Sequence, residues 1–484
     1  MRDILEAIRH FSEATPNKNA VQHQGNTLTY SELETYSNQL ALRLKNETQP
    51  IVVYGHMSPY MIVGMIAALK AGCGYVPIDY SIPANRIESI VKKIEPSLFL
   101  NTMTDAITVE GVDVVDVHAL ELIGADDHIS NIQPDTIAYT IFTSGSTGEP
   151  KGVQIYYDSL VDFANWVDDL NHNKEGQVWL NQAPLSFDLS VMSVYPALVS
   201  GGTIQFISKD MIMNPKALHE LFISQRIDVW VSTPSFMEMC LLLPSFNEGQ
   251  MPNLSTFLFC GEVFGHKSAQ RLVQQFPQAD IYNTYGPTEA TVAITSILVT
   301  EALLNQFDIV PIGAPRPGVQ LRLTEENELV IEGSCVSAGY VKDPERSARV
   351  FFETDGTRGY LTGDSAKFEN DQWFIQGRMD NQIKYNGYRM ELEEIEAKLN
   401  RLDEINSAMV VPVRKNNKVK LLKGVIRLSS QDLDEKEAIK AIKERIKKEL
   451  PDYMIPQQWV CVDQMPLNNN GKIDRKMINE VYQS

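Results

Sequence analysis

The stretch that decides the fold runs from Ile137 to Gly152 and reads IAYTIFTSGSTGEPKG. Residues 137–142 are apolar, aromatic or β-branched, and they predict a buried strand. Residues 143–152 are rich in Ser, Thr and Gly, so this loop can turn several backbone N–H groups and hydroxyls toward one anion, and Lys151 adds a positive charge. The sequence therefore predicts a phosphate-binding loop that follows a strand.

The loop differs from the P-loop pattern of nucleoside triphosphatases, G-x-x-x-x-G-K-[ST]. Pro150 stands where that pattern has its second Gly, and Gly152 follows Lys151 where it has Ser or Thr. A P-loop protein is therefore not predicted. A loop of this composition is often only a connection between elements, but its place directly after a strand favours the phosphate-binding interpretation.

The composition is that of a folded protein with an acidic balance of charges. Hydrophobic residues make up 43% of the 484 residues and charged residues 22%, which is not a disordered composition, and the length predicts at least two domains. The 43 Lys and Arg against 62 Asp and Glu give a net charge of −19. Because nucleic acids are bound by basic surfaces, a nucleic-acid-binding protein is not expected.

Neither a membrane segment nor a disulfide framework is expected. The longest apolar run, Tyr60 to Leu69, has about half the length that a membrane span requires, and residues 1–14 are a charged amphipathic segment unlike a signal peptide. The five cysteines are widely spaced and form no CxxC pair, which fits reduced thiols better than disulfides or a zinc site. These features predict a cytoplasmic protein. The cysteines are Cys73, Cys240, Cys260, Cys335 and Cys461.

Helical and strand-like segments alternate in residues 1–130, which predicts an α/β protein with a parallel sheet. Ser31 to Glu34 matches a capping box at the start of a helix that runs toward Leu44. A continuous apolar pattern from Met61 to Lys70 predicts a buried helix. The first part of the chain is therefore expected to form one large α/β domain.

The balance of charges changes near residue 380. After it, 19 Lys and Arg stand against 16 Asp and Glu, whereas the preceding part is strongly acidic. Helical patterns at 392–399 and 435–450 and strand patterns at 408–413 and 420–427 are enough for a separate α+β domain. The sequence therefore predicts a domain boundary there.

Several short motifs occur in order along the chain. They are residues 143–152, Phe187–Ser190, Asn283–Glu289, Tyr360–Asp364, Gly377–Asp380 with Asn386–Leu392, and Asn470–Lys476. In this order they resemble the signature of the adenylate-forming superfamily: acyl-CoA synthetases, luciferases and the adenylation domains of nonribosomal peptide synthetases. The resemblance runs from about residue 10 to the end. It implies a large N-terminal AMP-binding domain of layered parallel and mixed sheets (1–379) and a small mobile α+β domain (380–484).

The resemblance also implies a two-step reaction that uses ATP and Mg²⁺. A substrate carboxylate attacks the α-phosphate to give an acyl-adenylate and pyrophosphate, and a thiol then displaces AMP. Lys472 resembles the catalytic lysine that bridges carboxylate and phosphate, Glu289 the residue that holds Mg²⁺, and Asp380 the hinge between the domains.

Three residues resemble family residues that hold the nucleotide. Thr288 resembles the hydroxyl that contacts the α-phosphate, Tyr285 the aromatic ring that lies against adenine, and Asp364 the acceptor of the ribose hydroxyls. The implied ATP-binding residues are Thr143, Ser144, Gly145, Thr147, Lys151, Asn283, Thr284, Tyr285, Gly286, Pro287, Thr288, Asp364, Gln376, Arg378 and Lys472.

The same comparison implies a small amino acid as the substrate. Asp188 stands where amino-acid-activating members bind the ammonium group; the alternative interpretation is a helix N-cap. Met192 and Cys260 leave room for glycine or alanine, and Cys260 occupies the position implied to distinguish the enantiomers of alanine. The implied substrate-binding residues are Asp188, Leu189, Met192, Leu258, Cys260, Thr284, Val292 and Lys472, with Ala293 beside them.

Residues 55–65 and 259–262 narrow the resemblance to members that load D-alanine for teichoic acid modification in Gram-positive bacteria. Only a short tail follows Lys476, so the thiol acceptor is expected to be a separate phosphopantetheinyl carrier protein. The basic residues of 435–450 fit either a dock for this carrier or a solvated helix surface. Two alternatives stay open: an acyl-CoA synthetase that uses free coenzyme A, and activation of glycine or L-alanine. A catalytically silent protein of the same fold is a further, less favoured hypothesis.

Overall fold

The structure is a computed structural model that describes residues 2–120, 130–145, 149–415, 418–430, 434–466 and 473–483. The α-helices are α1 (Ile4–Ala14), α2 (Tyr30–Leu44), α3 (Pro59–Ala71), α4 (Ala84–Ile94), α5 (Tyr157–Leu170), α6 (Val191–Val199), α7 (Lys209–Ile212), α8 (Pro215–Ser224), α9 (Pro234–Cys240), α10 (His266–Gln275), α11 (Glu301–Gln306), α12 (Pro344–Val350), α13 (Leu392–Leu399), α14 (Glu435–Ile446) and α15 (Arg475–Tyr482). Short 3₁₀ helices span Val117–Ala119, Asp188–Ser190, Thr288–Ala290 and Asp452–Met454.

The strands lie between these helices along the chain. They are β1 (Asn19–His23), β2 (Asn26–Thr29), β3 (Ile51–Gly55), β4 (Tyr75–Asp79), β5 (Leu98–Asn101), β6 (Val114–Asp116), β7 (Ile137–Thr143), β8 (Lys151–Tyr156), β9 (Val178–Asn181), β10 (Thr203–Phe206), β11 (Val229–Ser232), β12 (Thr256–Phe259), β13 (Asp280–Tyr285), β14 (Thr295–Leu298), β15 (Ala314–Pro315), β16 (Val319–Leu323), β17 (Glu328–Gly333), β18 (Phe351–Thr354), β19 (Thr357–Glu369), β20 (Gln372–Arg378), β21 (Gln382–Tyr385), β22 (Tyr388–Glu391), β23 (Ile405–Lys415), β24 (Lys418–Leu428) and β25 (Gln458–Cys461).

The chain divides into two compact units. The first comprises Met1–Tyr80, Val91–Ile141 and Gly152–Gly377, and the second comprises Ser81–Ile90, Phe142–Lys151 and Arg378–Ser484. The second unit therefore contains two segments from the N-terminal half in addition to the tail. The division at 379/380 and the hinge at Asp380 stay predictions.

The first unit is built on three sheets in the described part of the chain. The largest has the strand order β15-β14-β13-β12-β11-β9-β10-β1-β2. Its six consecutive strands from β13 to β1 in this order pair in parallel. A second has the order β6-β5-β3-β4-β7-β8, and a third, antiparallel sheet contains β16 to β20. The predicted α/β class with layered parallel and mixed sheets is confirmed.

The helices α2 and α3 show how local sequence determines where a helix begins and how much of it is buried. The capping box of α2 is formed by Thr29 and Glu32, two residues before the predicted Ser31–Glu34 pair, so that prediction was wrong in register. The helix α3 is buried almost all round. Its Lys70 ammonium donates to Glu34 Oε2 at 2.7 Å, and burial lowers the pKa of Lys70 to about 8 although Glu34 raises it.

The main hydrophobic core of the first unit joins residues of both large sheets with α1, α2, α3, α5 and α6. A second core surrounds Trp230, which stacks on Phe236 with ring centroids 5.5 Å apart. These cores fix the strands whose carboxyl ends carry the motifs. Across the described residues, no helix combines the length and apolar character that a membrane crossing needs.

The tail portion of the second unit has a core of its own. It pairs β21 with β22 and orders β23, β24 and β25 in a separate sheet. Residues of α13 and α14, among them Ile395 and Ile442, pack with Val410 and Ile426 of that sheet. The helix and strand patterns predicted after residue 380 are confirmed to within a few residues, with α14 ending at Ile446 where Leu450 was expected.

Candidate active site

Sequence motifs converge at the carboxyl ends of β12 and β13 in the first unit. These strands are parallel, with Phe259 opposite Asn283, so the residues that follow them lie side by side. Cys260 follows β12, and Thr284 and Tyr285 end β13. The Thr284 hydroxyl donates to the Phe259 carbonyl at 2.9 Å. The ends of β12 and β13, which are predicted to line the substrate pocket, are therefore held together by backbone pairing and by this hydrogen bond.

Asp188 and Thr288 are in direct contact. Asp188 is buried, and its Oδ2 accepts a hydrogen bond from the Thr288 hydroxyl at 2.6 Å. The N-cap interpretation of Asp188 is wrong, since Phe187 is the N-cap and Asp188 is the first residue of the 3₁₀ helix. Burial, the neighbouring Tyr75 and the Asp188 charge hold the pKa of Tyr139 well above its ordinary value. The carboxylate thus lies among buried groups next to the hydroxyl implied to contact the α-phosphate.

The segment after Glu289 has a strained backbone. Thr291 and Val292 have φ angles of 57° and 68°, a left-handed conformation that β-branched residues rarely adopt and that costs about 1–3 kcal/mol each. The Thr291 hydroxyl donates to the Cys335 carbonyl at 2.7 Å, and the Cys260 thiol lies 3.7 Å from the Val292 carbonyl. Contacts from distant segments therefore maintain a conformation that the local sequence disfavours.

Gly286 is required by the close approach of this strained segment. A Cβ at this position would lie 2.5 Å from Ala293 Cα and 2.7 Å from the Val292 carbonyl oxygen. Any side chain would displace the backbone that lines the implied pocket.

The residues implied to surround the substrate side chain share one hydrophobic core. It contains Leu189, Met192, Leu258, Cys260, Val292 and Ala293.

Glu289 is fully buried, and its Oε1 accepts a hydrogen bond from the Tyr340 hydroxyl at 2.9 Å. A carboxylate oxygen is the ligand type that Mg²⁺ prefers, and this ion is commonly held by one or two carboxylates together with substrate phosphates. The described residues contain no group of three or more His, Cys, Asp or Glu that could hold a metal without a substrate. Glu289 therefore fits a cation that nucleotide phosphates also bind.

Tyr285 and Asp364 form a second buried pair. The Tyr285 hydroxyl donates to Asp364 Oδ2 at 2.5 Å, and the Asp364 N–H donates to the Thr362 hydroxyl at 3.0 Å. Asn283 donates from its amide to the Pro311 carbonyl at 2.7 Å. The structure thus joins the implied adenine and ribose residues. Gln376 lies exposed on β20.

Arg378 and Asp380 pair with each other in the second unit. Arg378 Nε donates to Asp380 Oδ1 at 2.8 Å, and a second N–H of the guanidinium donates to Oδ2. Burial would raise the pKa of Asp380, but the hydrogen bonds and charge of Arg378 outweigh it and leave that pKa below its ordinary value. The ion pair therefore joins the last residue of β20 to the short connection between β20 and β21.

The predicted phosphate loop contacts a carboxylate. The Ser144 hydroxyl donates to the Arg389 carbonyl at 3.0 Å and accepts from the Glu391 N–H at 3.1 Å. The Gly145 N–H donates to Glu394 Oε2 at 3.2 Å, and Arg86 pairs with the same carboxylate. The Gly145 N–H of the predicted phosphate loop therefore faces a carboxylate, that of Glu394. Lys151 is buried, whereas Thr147 and Lys472 lie outside the described residues.

Sequence reasoning missed the residues that orient these groups. Within the first unit, Glu289 contacts Tyr340 and Asp188 lies near Tyr139. Within the second unit, Gly145 contacts Glu394. The contact between Tyr340 and Glu289 spans 51 residues, and no local pattern marks it. Gly339, which precedes Tyr340, has a φ of 112°, a backbone conformation that favours glycine.

Comparison with protein families identifies both parts of the chain. Residues 8–341 match the family described as AMP-binding enzyme. Residues 394–472 match the AMP-binding enzyme C-terminal domain. The matched ranges contain Asp188, Thr288 and Glu289 in the first part and Lys472 at the end of the second.

Individual proteins resemble the chain over nearly its whole length. The D-alanine–D-alanyl carrier protein ligase of Staphylococcus aureus MRSA252 is 52% identical over 484 residues, which is 99% of both chains. The protein of that name from a bovine strain is 53% identical over 485 residues.

Solved structures agree in fold. A holo nonribosomal peptide synthetase protein containing adenylation and PCP domains, bound to a vinylsulfonamide inhibitor, has a TM-score of 0.83 and 25% identity over 99% of this chain and 84% of its own. An o-succinylbenzoate CoA synthetase from Bacillus subtilis has a TM-score of 0.84 and 17% identity over 99% of this chain and 98% of its own, and shows the fold alone. On these grounds the chain belongs to the family of AMP-binding enzymes.

Proposed function

We propose that this enzyme activates D-alanine with ATP, giving D-alanyl-adenylate and pyrophosphate, and then transfers the D-alanyl group as a thioester to the phosphopantetheine arm of a separate carrier protein. The full-length relatives named for this reaction support the substrate and the partner. The observation that carries the proposal is the 2.6 Å contact between Asp188 and Thr288. It joins a buried carboxylate suited to an ammonium group to a hydroxyl suited to a phosphate.

The first step depends on positioning. Asp188 binds the substrate ammonium, because a buried carboxylate needs a cationic or hydrogen-bonding partner. Thr288 donates toward the α-phosphate, and Lys472 is the proposed cation that reduces the repulsion between the attacking carboxylate and the phosphate. Fixed charges of this kind lower the barrier without covalent catalysis. No acyl-enzyme is formed.

The nucleotide is held by the two buried pairs. Tyr285 lies against adenine, and Asp364 accepts from the ribose hydroxyls while it keeps the hydrogen bond from Tyr285, since a carboxylate has room for several donors. Glu289 holds Mg²⁺, which when bound neutralises charge on the phosphates. The loop donors Thr143, Ser144, Gly145 and Thr147 with Lys151 are proposed to bind phosphate oxygens. For this, the Ser144 hydroxyl and the Gly145 N–H must exchange their hydrogen bonds to the Arg389 carbonyl and the Glu394 carboxylate.

Substrate size and chirality are set by the strained segment and the residues around it. Met192 is fully buried, and the Cys260 thiol lies 3.7 Å from the Val292 carbonyl, so the side-chain pocket is small. A methyl group in the wrong stereochemical position meets the Cys260 sulfur or the Val292 backbone, and such a clash discriminates more strongly than a missing contact. Such a clash would separate the enantiomers, and the relatives named for D-alanine support D-alanine over L-alanine as the proposed preference.

The second step is proposed to require a rotation of the small domain (380–484) relative to the large one (1–379). Asp380 is the proposed hinge, because it lies between the end of β20 and the start of β21 and so is free of a strand ladder's constraints. The hairpin β21–β22 then serves thioester formation in place of Lys472. The cytoplasm, where ATP is available, is the proposed location, and teichoic acid D-alanylation is the proposed use.

Pyrophosphate exchange with full-length enzyme tests the proposal. The incorporation of labelled pyrophosphate into ATP is measured with Mg²⁺ and D-alanine, L-alanine, glycine or acetate, with no carrier present. Exchange with D-alanine well above L-alanine and glycine is expected. Exchange only with acetate or longer acids would contradict the role of Asp188 and favour a coenzyme A ligase, and a preference for glycine or L-alanine would contradict the pocket assignment.

A further inference from the structure

Tyr340 contacts Glu289 in the interior of the first unit. The Tyr340 hydroxyl donates to Glu289 Oε1 at 2.9 Å, and both side chains are buried. A neutral phenol that donates to a buried carboxylate stabilises its charged form without competing as a cation for what the carboxylate binds. The pair therefore differs from an ion pair, which would neutralise Glu289.

The position of Tyr340 is fixed by its own surroundings. Its N–H donates to the Ser347 hydroxyl at 3.0 Å, and its ring lies edge-on to Phe351 with centroids 5.2 Å apart. The residue forms an antiparallel bridge with Val153, and the flanking Val341 N–H donates to the Gly152 carbonyl at 2.9 Å. The hydroxyl is thus presented to Glu289 from a rigid backbone.

The same stretch of chain also holds the backbone of the Glu289 motif. The Ser337 N–H donates to the Glu289 carbonyl at 2.9 Å. The Cys335 carbonyl accepts from the Thr291 hydroxyl at 2.7 Å. Residues 335–340 therefore contact residues 289–291 at a main-chain oxygen, at a strained residue and at the carboxylate itself. The third of these contacts acts on the group proposed to hold the metal ion.

From this geometry we infer that Tyr340 is a positioning residue that orients the Glu289 carboxylate for the magnesium ion of the nucleotide. The inference rests on the proposed role of Glu289 in holding Mg²⁺. With Oε1 bound to Tyr340, the plane of the carboxylate is set before nucleotide arrives. Carboxylate ligands of metals are commonly hydrogen-bonded in this way, and loss of such a partner weakens metal binding or activity about 10- to 100-fold.

The test measures the dependence of ATP binding on Mg²⁺ in full-length Tyr340→Phe. ATP affinity is determined by calorimetry with and without Mg²⁺, which requires no turnover, and the Mg²⁺ concentration for half-maximal pyrophosphate exchange is measured beside it. We expect the half-saturating Mg²⁺ concentration to rise about 10-fold or more, and ATP affinity in EDTA to stay at the wild-type value. An unchanged Mg²⁺ dependence overturns the inference.

Tyr30→Phe is the matched control. Its hydroxyl is also buried and donates to a carbonyl, that of Gly202, at 2.8 Å. It should lose stability like Tyr340→Phe but keep the wild-type Mg²⁺ dependence. If both variants shift this dependence equally, the effect is general loosening and the inference is overturned.

Two further comparisons separate the inference from the proposal beneath it. Tyr340→Phe added to Glu289→Gln should cause no additional loss, because both changes act on one interaction, whereas independent effects would overturn the inference. If Tyr340→Phe folds poorly, Ser347→Ala should shift the dependence in the same direction by less, because it releases the Tyr340 N–H together with the hydrogen bond from the Ser347 hydroxyl to the Asp343 carbonyl at 2.8 Å. Wild-type enzyme that binds ATP equally with and without Mg²⁺ would overturn the role of Glu289 and the inference together.

Discussion

The segments Asn283–Ala293 and Arg378–Glu391 both carry motifs of the predicted active site, but they are stabilised in different ways. In the first, buried hydroxyls and carboxylates bond to distant parts of the same unit, and two β-branched residues keep strained φ angles. In the second, Arg378 and Asp380 form an ion pair whose side chains are 21% and 47% exposed. Exposed ion pairs contribute about 0–1 kcal/mol, whereas leaving a buried polar group without its hydrogen-bond partner costs about 1–3 kcal/mol, and more for a charged group.

This difference indicates a division of tasks. The buried segment holds its side chains in fixed positions, which the proposed catalysis by positioning requires. The partly exposed segment can exchange hydrogen-bond partners at low cost, as a proposed hinge requires. We expect the largest effects from substitutions in the buried segment and the smallest from a substitution at the partly exposed ion pair.

Asp188→Asn is expected to have the largest effect. The amide keeps an oxygen for Thr288 but no longer neutralises the substrate ammonium. Losing one partner of a buried charge pair costs about 2–5 kcal/mol, so kcat/KM for D-alanine in pyrophosphate exchange should fall by a factor between about 30 and about 4,000. ATP affinity should not change. A variant that retains exchange within a few-fold of wild type would remove Asp188 from the ammonium site.

Gly286→Ala should damage both stability and activity. Its Cβ would lie 2.5 Å from Ala293 Cα, so the strained backbone must shift, at a cost of about 1–3 kcal/mol typical of overpacking. Urea unfolding gives the stability loss and pyrophosphate exchange the loss of activity. Gly249→Ala is the control, since its Cβ would meet only the Asn247 side-chain oxygen at 3.2 Å. Equal losses in both variants would mean that the close approach at Gly286 is unimportant.

Cys260→Ala should reduce selectivity more than it reduces rate. Removing the sulfur opens space beside the Val292 carbonyl, which the thiol approaches to 3.7 Å. The ratio of kcat/KM for D-alanine to that for L-alanine should fall about 10-fold, in line with the 1–3 kcal/mol that one small group contributes to discrimination. The ratio is measured by pyrophosphate exchange with each enantiomer. No change in the ratio would show that chirality is read elsewhere.

The sequence predicted these regions unequally, and packing explains why. The order of motifs was enough to predict Asp188, Thr288 and Glu289 as site residues, because such residues are marked by local sequence. It did not predict the contact of Glu289 with Tyr340 or that of Gly145 with Glu394, since each pairs residues far apart in the chain. The left-handed φ angle of Val292 was also unpredictable, because tertiary contacts impose it against the local preference of a β-branched residue.

The fold was predictable to the level of its elements but not of their ends. Alternating patterns predicted the α/β class and the helix α3, whose burial on all sides follows from its continuous apolar run. The capping box was misplaced, because both Thr29 and Ser31 suit an N-cap and tertiary structure selects Thr29. The inclusion of Ser81–Ile90 and Phe142–Lys151 in the second unit could not be read from local composition.

The smallest expected effect concerns Asp380 and depends on pH. Burial alone would raise the pKa of Asp380, but Arg378 lowers it below its ordinary value near 3.8, so the folded state favours the charged carboxylate. The resulting stabilisation is present above that ordinary value and is lost as the pH falls through the lower folded pKa. Because the pair is partly exposed, Asp380→Asn should lower the free energy of unfolding at pH 7 by no more than about 1 kcal/mol.

Urea unfolding of wild type and Asp380→Asn between pH 2.5 and pH 7 measures this difference. Asp380→Asn should be less stable at pH 7 and should approach wild-type stability at the acidic end, where the wild-type carboxylate is protonated as well. Added salt should shrink the difference at pH 7, since exposed charges are screened. A loss of several kcal/mol that persists in acid and in salt would mean that Asp380 is part of a rigid core, and the contrast between the two segments would then fail at the residue proposed as the hinge.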